Sequence, residues 1–163
     1  MKQFRQAALY FALILAVIAI QNSFLSRLTV FGARAMIVPI AAVACGFFED
    51  GNWGGFFGLV AGWLCDLNIH ENTVMFVVLF TAIGLLSGMV AHLFVNRNFL
   101  PFLFVSAAAL LITAIFQMLR PVVFYGVPLL SASAVALKQT LLSIPFAAIM
   151  YAPFKAISSR QRS

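Results

Sequence analysis

The sequence predicts an all-α integral membrane protein, a compact bundle of about six transmembrane helices forming one domain over residues 1–163. Three observations carry that expectation. The chain is 64% hydrophobic and 9% charged, with a mean hydropathy of +1.07, whereas soluble domains are roughly 45–50% apolar and about 25% charged. Its apolar residues fall in long runs broken by short polar or turn-forming stretches. A span takes roughly 20 residues, so six use about 120 of the 163 and leave too few for a separate soluble domain. Such a composition excludes a cytosolic enzyme, a secreted disulfide scaffold and a disordered chain.

The first span is expected at 7–22. Lys2 and Arg5 precede an apolar run from Ala7 to Ile20, the outline of a signal peptide, but no small-x-small cleavage pattern comes before Gln21 and Asn22. An uncleaved helix is the reading. Arg27 and Arg34 bracket a connection to the second span, 35–49, whose apolar part closes at Glu49-Asp50-Gly51-Asn52, a turn-forming group. The third, 53–66, runs from Trp53 to Cys65 and ends on Asp66. Apolar runs of 14 and 13 residues reach only about 20 Å as helices, short of a core about 30 Å thick. Extension by flanking residues, a thinned membrane and a re-entrant hairpin all remain open for this pair.

The fourth span, 73–94, is 22 residues long and is followed by a polar turn at Asn96-Arg97-Asn98. The fifth, 99–119, carries Pro101 in its first turn, where a missing N–H is harmless. Arg120 to Leu137 contains Pro121, Gly126 and Pro128 and reads as a long loop. The sixth span, 137–154, holds Pro145, which is expected to bend it.

Six spans put both termini on one side. With the amino terminus inside, inner segments hold Lys2, Arg5, Arg97, Lys155, Arg160 and Arg162, and outer ones Arg27, Arg34, Arg120 and Lys138. That excess places both termini in the cytoplasm. The net charge of +6 is scattered singly, which is the pattern of residues facing lipid headgroups and not of a nucleic-acid surface. Cys45 and Cys65 fit no metal or redox spacing and read as small buried hydrophobes.

Three stripes of small residues mark where helices touch. Gly54, Gly58 and Gly62 recur every fourth residue with Asp66 continuing the row; Gly84 and Gly88 form a second stripe; Ala8, Ala12 and Ala16 form a third. Positions four apart share a helical face. Because lipid tails are as apolar as leucine, close approach over such faces is a principal source of helix association. Internal packing is the first reading of these stripes and docking of a partner helix the second. Asp66 reads as a solvated or capping carboxylate, next as a structural contact, and third as a cation or proton site. His70 is a loop residue. His92 continues the Gly84 and Gly88 face, but about 28 Å of helix separates it from Thr73, so its expected neighbours are Glu49, Asp50 and Arg97 and not Asp66. No phosphate loop, HExxH, CxxC or nucleophile elbow is present. No catalytic residue, cofactor or metal site is expected, and the chain reads as a non-enzyme.

The stretch Gly54-Gly55-Phe56-Phe57-Gly58-Leu59-Val60-Ala61-Gly62-Trp63-Leu64-Cys65-Asp66-Leu67 resembles the glycine-rich "GF-x-x-GL-x-x-D" segment of the rod-shape-determining MreD family. A short apolar span precedes it, and a polar loop, a long span with Gly84 and Gly88, and a basic turn at Arg97 follow. Two positions depart from the pattern. A Pro-Asn pair often enters the second span of that family, where this chain has Arg34-Ala35-Met36, and a glycine usual after the Asp is replaced by Glu71-Asn72-Thr73. The resemblance implies a non-enzymatic plasma-membrane subunit of the bacterial elongation machinery, needed for rod shape and lateral peptidoglycan synthesis. Its implied partners are MreC and, indirectly, the actin-like MreB, a SEDS glycosyltransferase and a class B penicillin-binding transpeptidase. Gly54, Gly58, Gly62 and Asp66 are the positions that match the motif.

A second reading comes from another class. Substrate-binding S components of energy-coupling-factor transporters are also small six-span bundles, and their first helix docks its partner through an Ala-x-x-x-Ala pattern similar to Ala8, Ala12 and Ala16. Such a protein needs a pocket with convergent polar groups. Gln117, Arg120, Tyr125, Ser131 and Ser133 are the candidates here.

Overall fold

The structure, a computed structural model, describes residues 2–25, 29–30, 33–68, 74–93 and 98–159. Expectations for Arg27, His70, Glu71, Arg97, Arg160 and Arg162 fall outside these residues. The described chain is helical, with six α-helices: α1 (Lys2–Ile20), α2 (Val38–Phe48), α3 (Gly51–Asn68), α4 (Met75–Leu93), α5 (Phe99–Tyr125) and α6 (Leu129–Ser159). Gln21–Leu25 continues α1 as a single π-helical turn. A two-residue ribbon pairs β1 (Thr29–Val30) antiparallel with β2 (Ala33–Arg34), Thr29 opposite Arg34. Three helices, α4, α5 and α6, are long and apolar enough to cross a membrane.

The bundle is organised around its shortest helix. All 11 residues of α2 are buried, and α1, α3, α4, α5 and α6 all lie against it. That explains why its sequence has no polar face: a helix apolar all round belongs in a core. As a helix α2 covers about 17 Å. Before it, Ala33–Arg34 lie in the ribbon and residues 35–37 are outside regular helix, so the second run enters the bundle on non-helical backbone before α2 begins. Glu49 and Asp50 then turn the chain into α3, which lies against α4 along most of its length.

One expectation is overturned at the far end. The stretch from Arg120 to Leu137 is not a long loop: α5 continues through Pro121 to Tyr125, α6 already starts at Leu129, and only three residues, 126–128, join them. The sixth helix thus begins eight residues earlier than expected. The turn formers act at single points. Pro121 sits within α5, where its missing N–H removes one helical bond to the carbonyl four residues earlier; at the end of the helix, Gly126 N–H caps α5 by bonding to Pro121 O. Gly126 adopts φ +62°, the left-handed conformation that ends helices and that glycine reaches without strain. Pro128 O receives the N–H groups of Ser131 and Ala132 as α6 begins.

Candidate functional site

The α3–α4 contact is built from glycine. Gly54, Gly58 and Gly62 on α3, and Gly84 and Gly88 on α4, are all buried. A β-carbon at Gly58 would lie 2.7 Å from the carbonyl carbon of Phe80, and one at Gly62 2.6 Å from Val77 Cα. These spaces are filled by the partner's backbone. Gly88 meets the backbone of Gly51, and Gly84 meets that of Gly54. The two glycine stripes expected from the sequence therefore meet each other. Gly46 on α2, not singled out in the sequence, joins the crossing against Gly84 O and Ser87 Oγ. Its signal was a lone glycine inside an otherwise apolar run.

Asp66 closes the same face. Its Oδ2 accepts the N–H of Val77 at 3.2 Å, in the first turn of α4. That turn has orphan N–H groups and a positive dipole end, so a carboxylate there is a cap supplied from a neighbouring helix. The bond is at once a cap and a contact between two helices, two of the readings open for Asp66.

The third stripe behaves differently. Ala8, Ala12 and Ala16 are exposed, and α1 turns Tyr10, Ile14, Val17 and Ile18 inward instead. Packing within this chain is therefore not their role.

A polar clasp ties the α2–α3 turn to three helices. Tyr10, whose ring lies 5.8 Å from Phe57 and 5.9 Å from Phe154, donates its hydroxyl to Glu49 Oε1 at 2.7 Å. His92 on α4 lies 3.2 Å from Asp50 with both side chains about 60% exposed, and Ser158 on α6 donates to Phe48 O. His92 thus meets Asp50, one of its expected neighbours, at the opposite end of α4 from Asp66.

A second polar cluster surrounds the start of α2. Non-helical backbone inside a membrane is tolerated only where its polar groups are satisfied by protein. Met36 N–H donates to Ser143 Oγ on α6 at 2.9 Å, while Gln21 Oε1 accepts from Ile37 N–H at 2.8 Å and Val38 N–H at 3.1 Å. Gln117 on α5 donates to Met36 Sδ at 2.7 Å and accepts from Gln139 Nε2 at 2.9 Å. Gln21, Ser143 and Gln139 were not legible as a site, since Gln21 lies 118 and 122 residues from the other two; a polar residue placed at the end of one apolar run or inside another was the signal.

Gln117 and Gln139 also line a cavity of about 430 Å³ between α5 and α6, together with Pro121, Val127, Ser131 and Val135. Of the pocket residues named from the sequence, Ser131 and Ser133 are exposed and donate to the carbonyls three residues before them, Pro128 O and Leu130 O, and Tyr125 is 78% exposed. Cys45 and Cys65 are buried free thiols. Among the described residues no group of three or more His, Cys, Asp or Glu converges. No protein-family model matches the chain, and no match is found among curated proteins or solved structures.

Proposed function

We propose that this chain is a non-enzymatic scaffold subunit of the bacterial cell-elongation complex, resident in the plasma membrane with both termini cytoplasmic. It acts by holding the membrane span of MreC and, through it, MreB and the paired SEDS glycosyltransferase and class B penicillin-binding transpeptidase. One observation supports the reading above others. The segment that resembles the MreD motif, Gly54 to Leu67, spends its glycines and its carboxylate on seating α3 against α4, a structural use that suits a protein whose work is to present rigid helix faces. The test is purification of the tagged protein from its native membrane in mild detergent, with mass spectrometry of what accompanies it. MreC and wall synthases in the eluate support the proposal; their absence from a folded, well-expressed sample removes it.

The S-component reading has an observation of its own. Ala8, Ala12 and Ala16 face outward, and a cavity of about 430 Å³ adjoins Gln117 and Gln139. Recovery of transporter ATPases and a bound small molecule in the same purification favours it.

A further inference from the structure

Gln117 and Gln139 lie within the two longest candidate spans, α5 and α6, where a polar side chain is costly and is kept against protein or a cavity. Gln139 Nε2 donates to Gln117 Oε1 at 2.9 Å, and both residues line the cavity of about 430 Å³ between the two helices. The pairing leaves hydrogen-bonding capacity over. A primary amide offers two N–H donors and a carbonyl oxygen with two lone pairs. Gln139 Oε1 has no hydrogen-bond partner among the described residues, and the other bond that Gln117 makes runs from Nε2 to the thioether of Met36, a weak acceptor.

Most of the remaining wall is apolar. Met118, Val127 and Val135 belong to it, and Ser131, whose hydroxyl donates to Pro128 O, supplies an oxygen that can still accept. No described residue of the lining is charged. Ser131 and Gln139 are eight residues apart on α6, about 12 Å of helix rise, which sets the length of the space. Its volume is far above the roughly 10–15 Å³ that a single water needs. Waters filling it would meet two amides and one hydroxyl on an otherwise apolar wall, too few partners for molecules that each need two to four. An apolar body with one polar end satisfies the lining.

A second feature adjoins the amide pair. Met36 belongs to the non-helical backbone that leads into α2, and its N–H is held by Ser143 Oγ, four residues beyond Gln139 on α6. Gln21, which holds the N–H groups of Ile37 and Val38, opens the single π-helical turn. Interrupted helices line binding sites in many membrane transporters, and π-turns are frequent at functional sites.

From these observations we infer that the α5–α6 cavity is a binding site for a small uncharged amphiphile, an apolar body about 12 Å long that ends in an amide or hydroxyl group set against Gln117 and Gln139. The oxygen of that group takes the N–H that Gln117 spends on Met36, and its N–H or O–H goes to Gln139 Oε1. A charged head is disfavoured by the cost of burying a charge without a counter-charge. The inference goes beyond the scaffold reading and does not depend on it; to the S-component reading it supplies the chemical class of the substrate.

Photolabelling of the full chain in lipid nanodiscs tests it, with a diazirine-bearing octanol as the probe. The expected adducts fall on the peptides that contain Met118 and Val135. At equal concentration in the bilayer octanamide competes about tenfold better than octane, and octanoate does not compete. Gln117→Leu combined with Gln139→Leu removes the preference for octanamide over octane. Val135→Trp, which fills the cavity and leaves both glutamines in place, abolishes the adducts at an unchanged melting temperature. Adducts spread over the outward faces of α3 and α4, equal competition by octane, stronger competition by octanoate, or full labelling of Val135→Trp each overturn the inference. Mass spectrometry of organic extracts from the parent and Val135→Trp chains then assigns the source. A membrane lipid missing from the variant places the ligand in the bilayer, a water-soluble amide or alcohol missing from it places the ligand in the aqueous phase, and identical extracts overturn the site. The scaffold reading fails separately: recovery of MreC without head-group selectivity keeps the scaffold and removes the site, and selectivity without MreC does the reverse.

Discussion

Asp66, at the end of α3, accepts the backbone N–H of Val77 in the first turn of α4 at 3.2 Å. The carboxylate is half-buried and stands on the row that begins with Gly54, Gly58 and Gly62. One face thus brings two helices into contact over glycine and then caps the second of them.

Capping predicts a graded response at Asp66. Asp66→Asn keeps an acceptor for Val77 N–H and should retain near-parental stability, whereas Asp66→Ala should cost about 1 kcal/mol. Thermal unfolding in detergent measures both. A proton or cation relay at this site predicts the opposite pattern, with Asp66→Asn stable but inactive.

Side-chain bulk at Gly58 should separate α3 from α4. Gly58→Ala is expected to cost about 1–3 kcal/mol through overpacking against the Phe80 carbonyl, and Gly58→Leu should abolish the folded, monodisperse fraction on size-exclusion chromatography. Unchanged elution and melting for Gly58→Leu would remove the tight crossing.

Ala12 offers the matched contrast, because it is exposed on α1. Ala12→Leu should leave folding and melting unchanged within about 0.5 kcal/mol. A loss of co-purifying partner from this well-folded variant would locate a partner on α1; retention of the partner directs attention to the other outward faces.

At the start of α2, Gln21→Leu leaves the N–H groups of Ile37 and Val38 without their acceptor. Each buried unpaired donor costs about 1–3 kcal/mol, so this variant should melt well below Ser143→Ala, which frees only Met36 N–H. Hydrogen exchange followed by mass spectrometry should show faster exchange in the peptide that contains residues 36–38.

Tyr10→Phe keeps the ring between Phe57 and Phe154 but removes the hydroxyl that donates to Glu49. A hydrogen bond to a charged group contributes about 1.5–3 kcal/mol. Loss of that magnitude in unfolding assays, with unchanged helix content by circular dichroism, is the expected result.

Composition and run length were sufficient to read a helical membrane-type chain, the two glycine stripes and the separation of His92 from Asp66, because each depends on local pattern: apolar length, a four-residue spacing, and helix rise per residue. The neighbour of each stripe was not legible. Glycine at every fourth position says that something approaches closely, and only the fold shows that Gly54 meets Gly84 while Ala8, Ala12 and Ala16 stand exposed. The Arg120–Leu137 stretch was misread because proline and glycine signal a break without saying how long it is. In an apolar setting an unsatisfied loop backbone is costly, so the helices extend until three residues suffice for the turn.

By itself the sequence determined that this chain is helical, apolar and tightly crossed, since those properties follow from the free energy of placing each residue beside lipid or backbone. Tertiary structure alone decided that α2 is wholly buried and that non-helical backbone leads into it. That arrangement depends on acceptors from Gln21 and Ser143, which are 122 residues apart in sequence. Only the folded bundle brings them to the same three N–H groups.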